Sequence, residues 1–305
     1  MTSGVIRFIG GKGGVGKTTV AAAWALRRAD AGERVLLIST DPAHSLTDAL
    51  ETDLGDRPVE VSPSLWVAEP DADTALGRRV KQVTDDAYAA VPREIMPAVH
   101  RHLERAAAGP GMAESALADL LIDYMSEVPT TWDQLVVDSA PTGHLLRMLD
   151  LPALLTPWVR GLARQRERSL RSDRFAASVV GADQPDDSTD PLLERLHHRR
   201  QRLEAAAERL RTDAVVHLVT LPRRMVLAET LRAARSLEDG GLSLGTVIIN
   251  QVPEHPAADV VATTERAFAA EGTIQVGWQP GEPTGLVRLR ELGTELHLQV
   301  DRHSA

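Results

Sequence analysis

"VIRFIGGKGGVGKTTVAAAWAL" spans residues 5–26, and the order of its pieces decides how the rest of the chain is read. Residues 5–9 are a short β-branched and aromatic run that suits a strand. The glycines after it end the strand, and "TTVAAAWALRRADAG" (18–32) then reads as a helix closed by Gly32. A second strand, "RVLLIST" (34–40), stops beside Asp41. Strand, glycine-rich turn, helix and strand make a βαβ unit, the layout of a parallel α/β sheet.

Outward from that unit, further apolar strands are expected at "LWVAEP" (65–70), "QLVVDSA" (134–140), "AVVHLVT" (214–220), "LGTVIIN" (244–250) and "TIQVGW" (273–278). Short, apolar strands of this kind suit a sheet covered on both faces. Between them the chain reads as helix. Residues 74–128 carry Ala/Leu-rich patterns broken at Pro92, Pro97 and "GPG" (109–111), and residues 151–212 supply two more. In the later one, Leu192, Leu193, Leu196, Leu203, Ala207 and Leu210 fall near one helical face. The expected architecture is α/β: a mostly parallel P-loop sheet flanked by helices. Residues 1–305 form one domain in this reading, and about 74–128 and 151–212 contribute an inserted helical sub-domain. The polar "GADQPDDSTD" (181–190) reads as a loop, and the basic strip "RQRERSLRSDR" (164–174) as either a solvated helix face or a surface for an acidic partner.

Within the first turn, Gly11, Lys12, Gly13, Gly14, Val15, Gly16, Lys17 and Thr18 fit G-x-x-x-x-G-K-[ST], with Thr19 following, and they stand between a strand and a helix as that motif requires. Its glycines let successive backbone N–H groups turn inward around phosphates. The helix N-terminus adds positive potential, Lys17 neutralises charge, and the Thr18 hydroxyl can bind Mg²⁺. A magnesium nucleotide site also needs carboxylates at neighbouring strand ends, because Mg²⁺ prefers hard oxygen ligands. Asp138, after "LVV", is placed to hold a magnesium water; Asp41, after "VLLIS", is the second candidate and could also cap the turn at "DPAHS". Lys12 is one lysine more than the loop needs. A cation at that position could point away from its own nucleotide toward a facing subunit and act in trans, as arginine fingers do.

The whole-chain numbers narrow the function classes. Over 305 residues, 34 basic and 43 acidic side chains leave a net charge of −9, which disfavours nucleic acid as a partner. There are no cysteines, so disulfides, thiolate zinc sites and cysteine nucleophiles are excluded, which is compatible with a cytoplasmic address. No signal-peptide pattern and no integral membrane segment is read, since no window approaches roughly 18 uninterrupted apolar residues.

"KGGVGKT" (12–18) resembles the deviant phosphate loop of the SIMIBI class of NTPases. "DPAHSLTDAL" (41–50) resembles the first switch, and "DSAPTGHLLRML" (138–149) the second switch, of the ArsA ATPases, which drive arsenite pumps, and of their relatives that target tail-anchored membrane proteins. "GPGMAESALADL" (109–120), residues 218–252 and "EPTGLVRLREL" (282–292) are similar to successive blocks of that family. The resemblance implies an ATPase using ATP and Mg²⁺. Lys17 and Thr18 would bind phosphate and metal, Lys12 would reach the partner subunit's nucleotide, Asp41 would orient the attacking water, and Asp138 would be an outer magnesium ligand. It also implies base contacts from Asn250 and Pro283, and places His44 and His144 in the switches.

Two features depart from the pattern. Without cysteines, neither a thiolate arsenite site nor a CxxC zinc junction can form, and one phosphate loop means that a full catalytic unit needs two chains, identical or paralogous. The expected function is an ATPase acting in a dimer on a membrane transporter or export process. The alternative is a chaperone or targeting factor for hydrophobic segments; a MinD/ParA-like positioning role fits less well. For the chaperone, Met96, Met112, Met125 and Met148, with Leu154, Leu155, Trp158, Val159 and Leu162, would line a client groove or pack the helical sub-domain.

Overall fold

In the computed structural model the described residues are 5–41, 45–90, 96–109, 111–139, 190–254 and 258–296, with individual residues between 143 and 172. His44, His144, Met148, Leu154, Leu155, Trp158, Val159 and Leu162 lie outside them.

The chain opens with β1 (Val5–Gly11), α1 (Lys17–Asp30), β2 (Val35–Ser39) and α2 (Ser45–Leu50), followed by β3 (Val59–Ser62) and β4 (Leu65–Ala68). Three helices come next, α3 (Ala72–Ala90), α4 (Met96–Ala107) and α5 (Met112–Ser126), before β5 (Gln134–Asp138). The second half runs α6 (Pro191–Thr212), β6 (Ala214–Thr220), α7 (Arg224–Asp239), β7 (Ser243–Leu244), β8 (Val247–Val252), α8 (Ala258–Ala267), β9 (Thr273–Gly277) and α9 (Gly285–Glu295).

The nine strands form one sheet in the order β3-β4-β2-β5-β1-β6-β8-β9, with β7 beside β6. Every pairing is parallel except β3 with β4. The seven strand segments expected from sequence are all present. Two strands are additions: the two-residue β7, which splits from β8 at the start of the segment expected at 244–250, and β3, an edge strand whose "VEVS" exposes Val59 and Glu60 and so lacks the buried signature of β4 beside it. Pro97 does not break a helix. It sits in the first turn of α4, where its missing N–H has no helical partner to lose.

Alternation along the strands sends side chains to two cores. On one face Ile9, Leu37, Val67 and Val136 pack against Val20 and Trp24 of α1 and Leu289 and Leu292 of α9. On the other, Phe8, Leu36, Val137 and Val216 pack against Leu121 and Met125 of α5 and Leu227 and Leu237 of α7. Burial of each such side chain stabilises the fold by roughly 1.5–3 kcal/mol. The arrangement puts β1 at the centre, between β5 and β6, so the loop after Gly11 opens where the chain's direction of travel across the sheet reverses. That crevice, outside the carboxyl ends of parallel strands, is where ligands bind in open α/β sheets.

One polar cluster is buried within this core. Arg7 on β1, 1% exposed, places its guanidinium 5.2 Å from the Trp24 ring centre and 2.8 Å from His217 Nε2 on β6. Because Arg7 can only donate, His217 Nε2 must accept, and its Nδ1–H is then the donor to the Thr246 carbonyl at 3.0 Å. Burial, followed by the adjacent Arg7 charge, pushes the His217 pKa down to about 3. The unfolded chain takes up this proton below about pH 6.5, whereas the folded chain resists it to about 3. Stability from this group is therefore complete above pH 6.5 and is lost as pH falls through that window, at up to ~1.4 kcal/mol per pH unit. In urea unfolding at pH 7.5, 5.5 and 4.5, wild type should lose more stability on acidification than His217→Gln, which keeps an acceptor but cannot titrate. Parallel pH profiles for the two proteins would show that the cluster is not held by a neutral imidazole.

Candidate functional site

The loop between β1 and α1 is shaped by contacts that exclude side chains. Gly11 passes so close to β6 that a Cβ there would lie 2.5 Å from the Val219 carbonyl oxygen. Gly16 has φ +89°, and a Cβ on it would lie 2.4 Å from Asn250 Nδ2. That amide donates to the Val15 carbonyl at 2.9 Å, while the Val15 side chain is buried in the first core. The loop is thus pinned from both sides. Its far end is the N-terminus of α1, which has no side-chain cap and no acidic residue in its first turn. Those N–H groups and the helix dipole form a ready cradle for an anion.

Around the cradle the two lysines diverge. Lys17, 5% exposed, has its Nζ 3.5 Å from the Lys12 carbonyl oxygen and 3.8 Å from Asp41 Oδ2. Lys12, with its side chain 45% exposed, instead reaches across the surface to Glu229 Oε1 of α7 at 3.0 Å. An exposed pair of this kind contributes under about 1 kcal/mol and is easily exchanged for another partner.

The hydroxyls and carboxylates converge at the ends of β2 and β5. Thr18 Oγ1 donates to Asp138 Oδ2 at 2.8 Å and lies 2.8 Å from Ser45 Oγ of α2. Ser39 Oγ donates to the same Asp138 oxygen at 3.2 Å and accepts from the Asp41 backbone N–H at 3.2 Å. Asp138 is fully buried, and its Oδ1 has no hydrogen-bond partner. Burial pushes its pKa up to about 7, against the lowering effect of the Thr18 hydrogen bond and the Lys17 charge. A divalent cation nearby would favour the carboxylate again. The orphaned oxygen and the hard donors Thr18, Ser45, Asp41 and Asp138 fit a magnesium ion held through one or two protein groups, nucleotide and water. No cluster of three His, Cys, Asp or Glu that could cage a metal occurs among the described residues, His197 and His198 included.

Residues not singled out from the sequence hold α2 in place. Glu69, 5% exposed at the end of β4, accepts from the backbone N–H groups of Leu46 (2.8 Å) and Thr47 (3.1 Å) and from Thr47 Oγ1 (2.7 Å). It caps, from a distant strand, the helix whose first residue touches Thr18. At the other end of α2, Glu51 accepts from Thr284 Oγ1 at 2.8 Å. Pro283 precedes that threonine in the loop leading to α9. The Asn250 side chain, besides bracing Val15, accepts from the Gln251 N–H at 2.9 Å. A charged residue ending an apolar strand was the only sequence signal for Glu69; the partner it caps is 22 positions away.

A model of the anion-transporting ATPase family, ArsA, matches residues 5–275. The chain belongs to the ArsA family of ATPases. It is 29% identical over 303 residues to a protein of Aquifex aeolicus that bears the provisional name arsenical pump-driving ATPase 2, covering 95% of this chain and 98% of that one. ATPase ARSA1 of Chlamydomonas reinhardtii is 30% identical over 93% of this chain, which spans 39% of it. ATPase GET3B of Arabidopsis thaliana is 30% identical over 85% of this chain, which spans 67% of it. As an ArsA-family ATPase this chain binds nucleotide, and the pinned glycine loop at the head of α1 presents a cradle that fits an anion.

Two substitutions test the site. Gly16→Ala should weaken nucleotide binding at least tenfold by calorimetry, because its Cβ collides with Asn250 and φ is unsuited to alanine; unchanged affinity would mean that the loop adopts another shape. Glu69→Gln loses one of the charge-assisted caps on α2, so kcat should fall about tenfold with nucleotide affinity kept within about threefold, as expected for a group supporting a metal ligand. Equal losses in binding and turnover would assign Glu69 to general folding instead.

Proposed function

We propose that this ArsA-family ATPase hydrolyses Mg-ATP in a dimer, each subunit lending Lys12 to the other's nucleotide, and that turnover drives or regulates a membrane transporter or export process. The observation carrying this reading is the divergence of the two lysines: Lys17 is buried over the cradle, and Lys12 lies outward on an exchangeable ion pair. In this mechanism the loop N–H groups and Lys17 hold the β- and γ-phosphates, and Thr18 with Asp138 positions the metal. Bound Mg²⁺ would supply neutralisation of phosphate charge. Asp41, at the end of β2, orients the attacking water, and Asn250 and Pro283 flank the base. Switch movement at α2 then passes to the helices inserted at about 74–128 and 151–212.

The similarity to ATPase GET3B supports a second reading, a chaperone or targeting factor for hydrophobic segments. Met96 and Met125 are buried and Met112 is half-buried, so in this conformation these three fill core more than they line a groove. Among the described residues no helix is long and apolar enough to cross a membrane.

Lys12→Ala should retain nucleotide binding and lose most turnover. Asp41→Asn should bind Mg-ATP and hydrolyse it slowly. Mixing these two impaired proteins should restore activity toward about a quarter of wild type, because half the dimers formed at random are mixed and each carries one intact site with a lysine in trans. Failure of the mixture to recover, with mixed dimers demonstrated, would remove the in-trans role. Mg-ATP-trapped Asp41→Asn separates the two readings: co-purification of proteins with apolar helices identifies a targeting factor, and a single transporter identifies a pump-driving subunit. With no cysteine in the chain, arsenite should leave the ATPase rate unchanged; stimulation at low micromolar arsenite would require a non-thiolate site.

A further inference from the structure

Outside the glycine loop and its neighbours, the chain concentrates positive charge against its own net charge of −9. Residues 160, 161, 163–168 and 170–172 are helical, and Arg160, Arg164, Arg168 and Arg171 are all exposed. At 100° per residue these four arginines fall within an arc of about 80° and extend over roughly 16 Å of helix, so they form one stripe. Arg166, by contrast, turns to Asp190 at 2.7 Å and leaves the stripe.

The stripe borders a groove of about 510 Å³ whose opposite wall is α6, contributing His197 and Arg200. Two carboxylates enter it. Glu204 is engaged by Arg160 at 2.8 Å, and Glu167 lies 3.3 Å from His197 and 3.8 Å from Arg171. Among the described lining residues three arginines, Arg160, Arg164 and Arg200, stand against these two glutamates, and Arg168 and Arg171 continue the stripe beyond the groove. Arg200 Nε is buried, 3.9 Å from Glu204, and has no hydrogen-bond acceptor. An unsatisfied guanidinium donor within a cationic groove is the environment that a carboxylate from outside would complete.

We infer that this groove is a docking site for a short acidic segment of a partner protein, its carboxylates spaced to meet the Arg160–Arg164–Arg168–Arg171 stripe. A bilayer of anionic lipid is the weaker match. An extended negative surface would act on the whole acidic protein, whereas a short peptide meets only charges within a Debye length of about 8 Å. The groove geometry favours the peptide too, since Arg160 and Arg164 on one wall and Arg200 on the other flank a cleft between two helices that a narrow chain enters more readily than a flat bilayer does. Such contacts are exposed and salt-sensitive, which suits reversible docking.

The test uses the full chain and two fluorescein-labelled twelve-residue peptides, one alternating Glu and Ser and the other Gln and Ser, with vesicles of phosphatidylcholine containing phosphatidylserine as the third probe. Fluorescence anisotropy at low salt should show binding of the Glu peptide alone, weakening as salt is raised. Arg164→Glu/Arg168→Glu/Arg171→Glu should reduce that affinity at least about tenfold while basal ATPase activity, in which none of these residues has a part, is kept. Arg211→Glu/Arg235→Glu/Arg266→Glu, which changes net charge equally at exposed positions elsewhere, should bind as wild type. Loss of binding in both variants would reduce the effect to overall charge and overturn the site. Equal binding of the two peptides, no binding of the Glu peptide, or binding to vesicles alone would overturn it as well, the last in favour of a membrane surface.

Discussion

The hydrogen bond from Thr18 to Asp138 joins the first turn of α1 to the end of β5, and the arrangement of the site depends on it. Asp138 is fully buried and is reached by two hydroxyls, Thr18 and Ser39, on the same oxygen. Its other oxygen has no hydrogen-bond partner, and burial holds the pKa near 7. A buried carboxyl left in this condition is costly unless something completes it, and such groups concentrate where proteins bind and react. Here that cost sits among the hard oxygens of Thr18, Ser39 and Ser45 beside the glycine loop, where a bound cation would relieve it.

The same constraint extends along α2. Its first residue, Ser45, touches Thr18; its first N–H groups are capped by Glu69; and just beyond its last residue Glu51 holds Thr284. A six-residue helix has little stability of its own. Its position is set by these charge-assisted contacts, so the segment that follows Asp41 is tied at once to the phosphate loop, to β4 and to the loop before α9. Movement at one of these points must be shared by the others or must break a named bond.

The surface divides along similar lines. Lys12 and Glu229 form an exposed pair beside the loop, easily opened, while the arginine stripe carries more cations than Glu167 and Glu204 beside it can balance. Both are places where the fold leaves cations accessible, and each has a different geometry: a single lysine next to a nucleotide loop, and a row of guanidinium groups along a groove.

Much of this was legible in the sequence because it is local. The βαβ order around residues 5–40, the glycine-rich turn within it, the seven apolar strand segments and the family motifs all arise within short windows, where period and residue type have direct physical meaning. Edge strand β3 was not legible, since half-exposed pairing leaves a weak pattern. Neither were the partners of long-range contacts: Asn250 under Gly16, Glu69 on α2, Glu229 on Lys12, and His217 beside Arg7. These pairs are separated by 22 to more than 200 positions, and only the packing of strands in the order β4-β2-β5-β1-β6-β8 brings them together. The sequence by itself determined that a glycine-rich turn would join a strand to a helix within a mostly parallel sheet. The tertiary structure decided which side chains brace it, because hydrogen bonding and burial act through space and carry no mark of their partner along the chain.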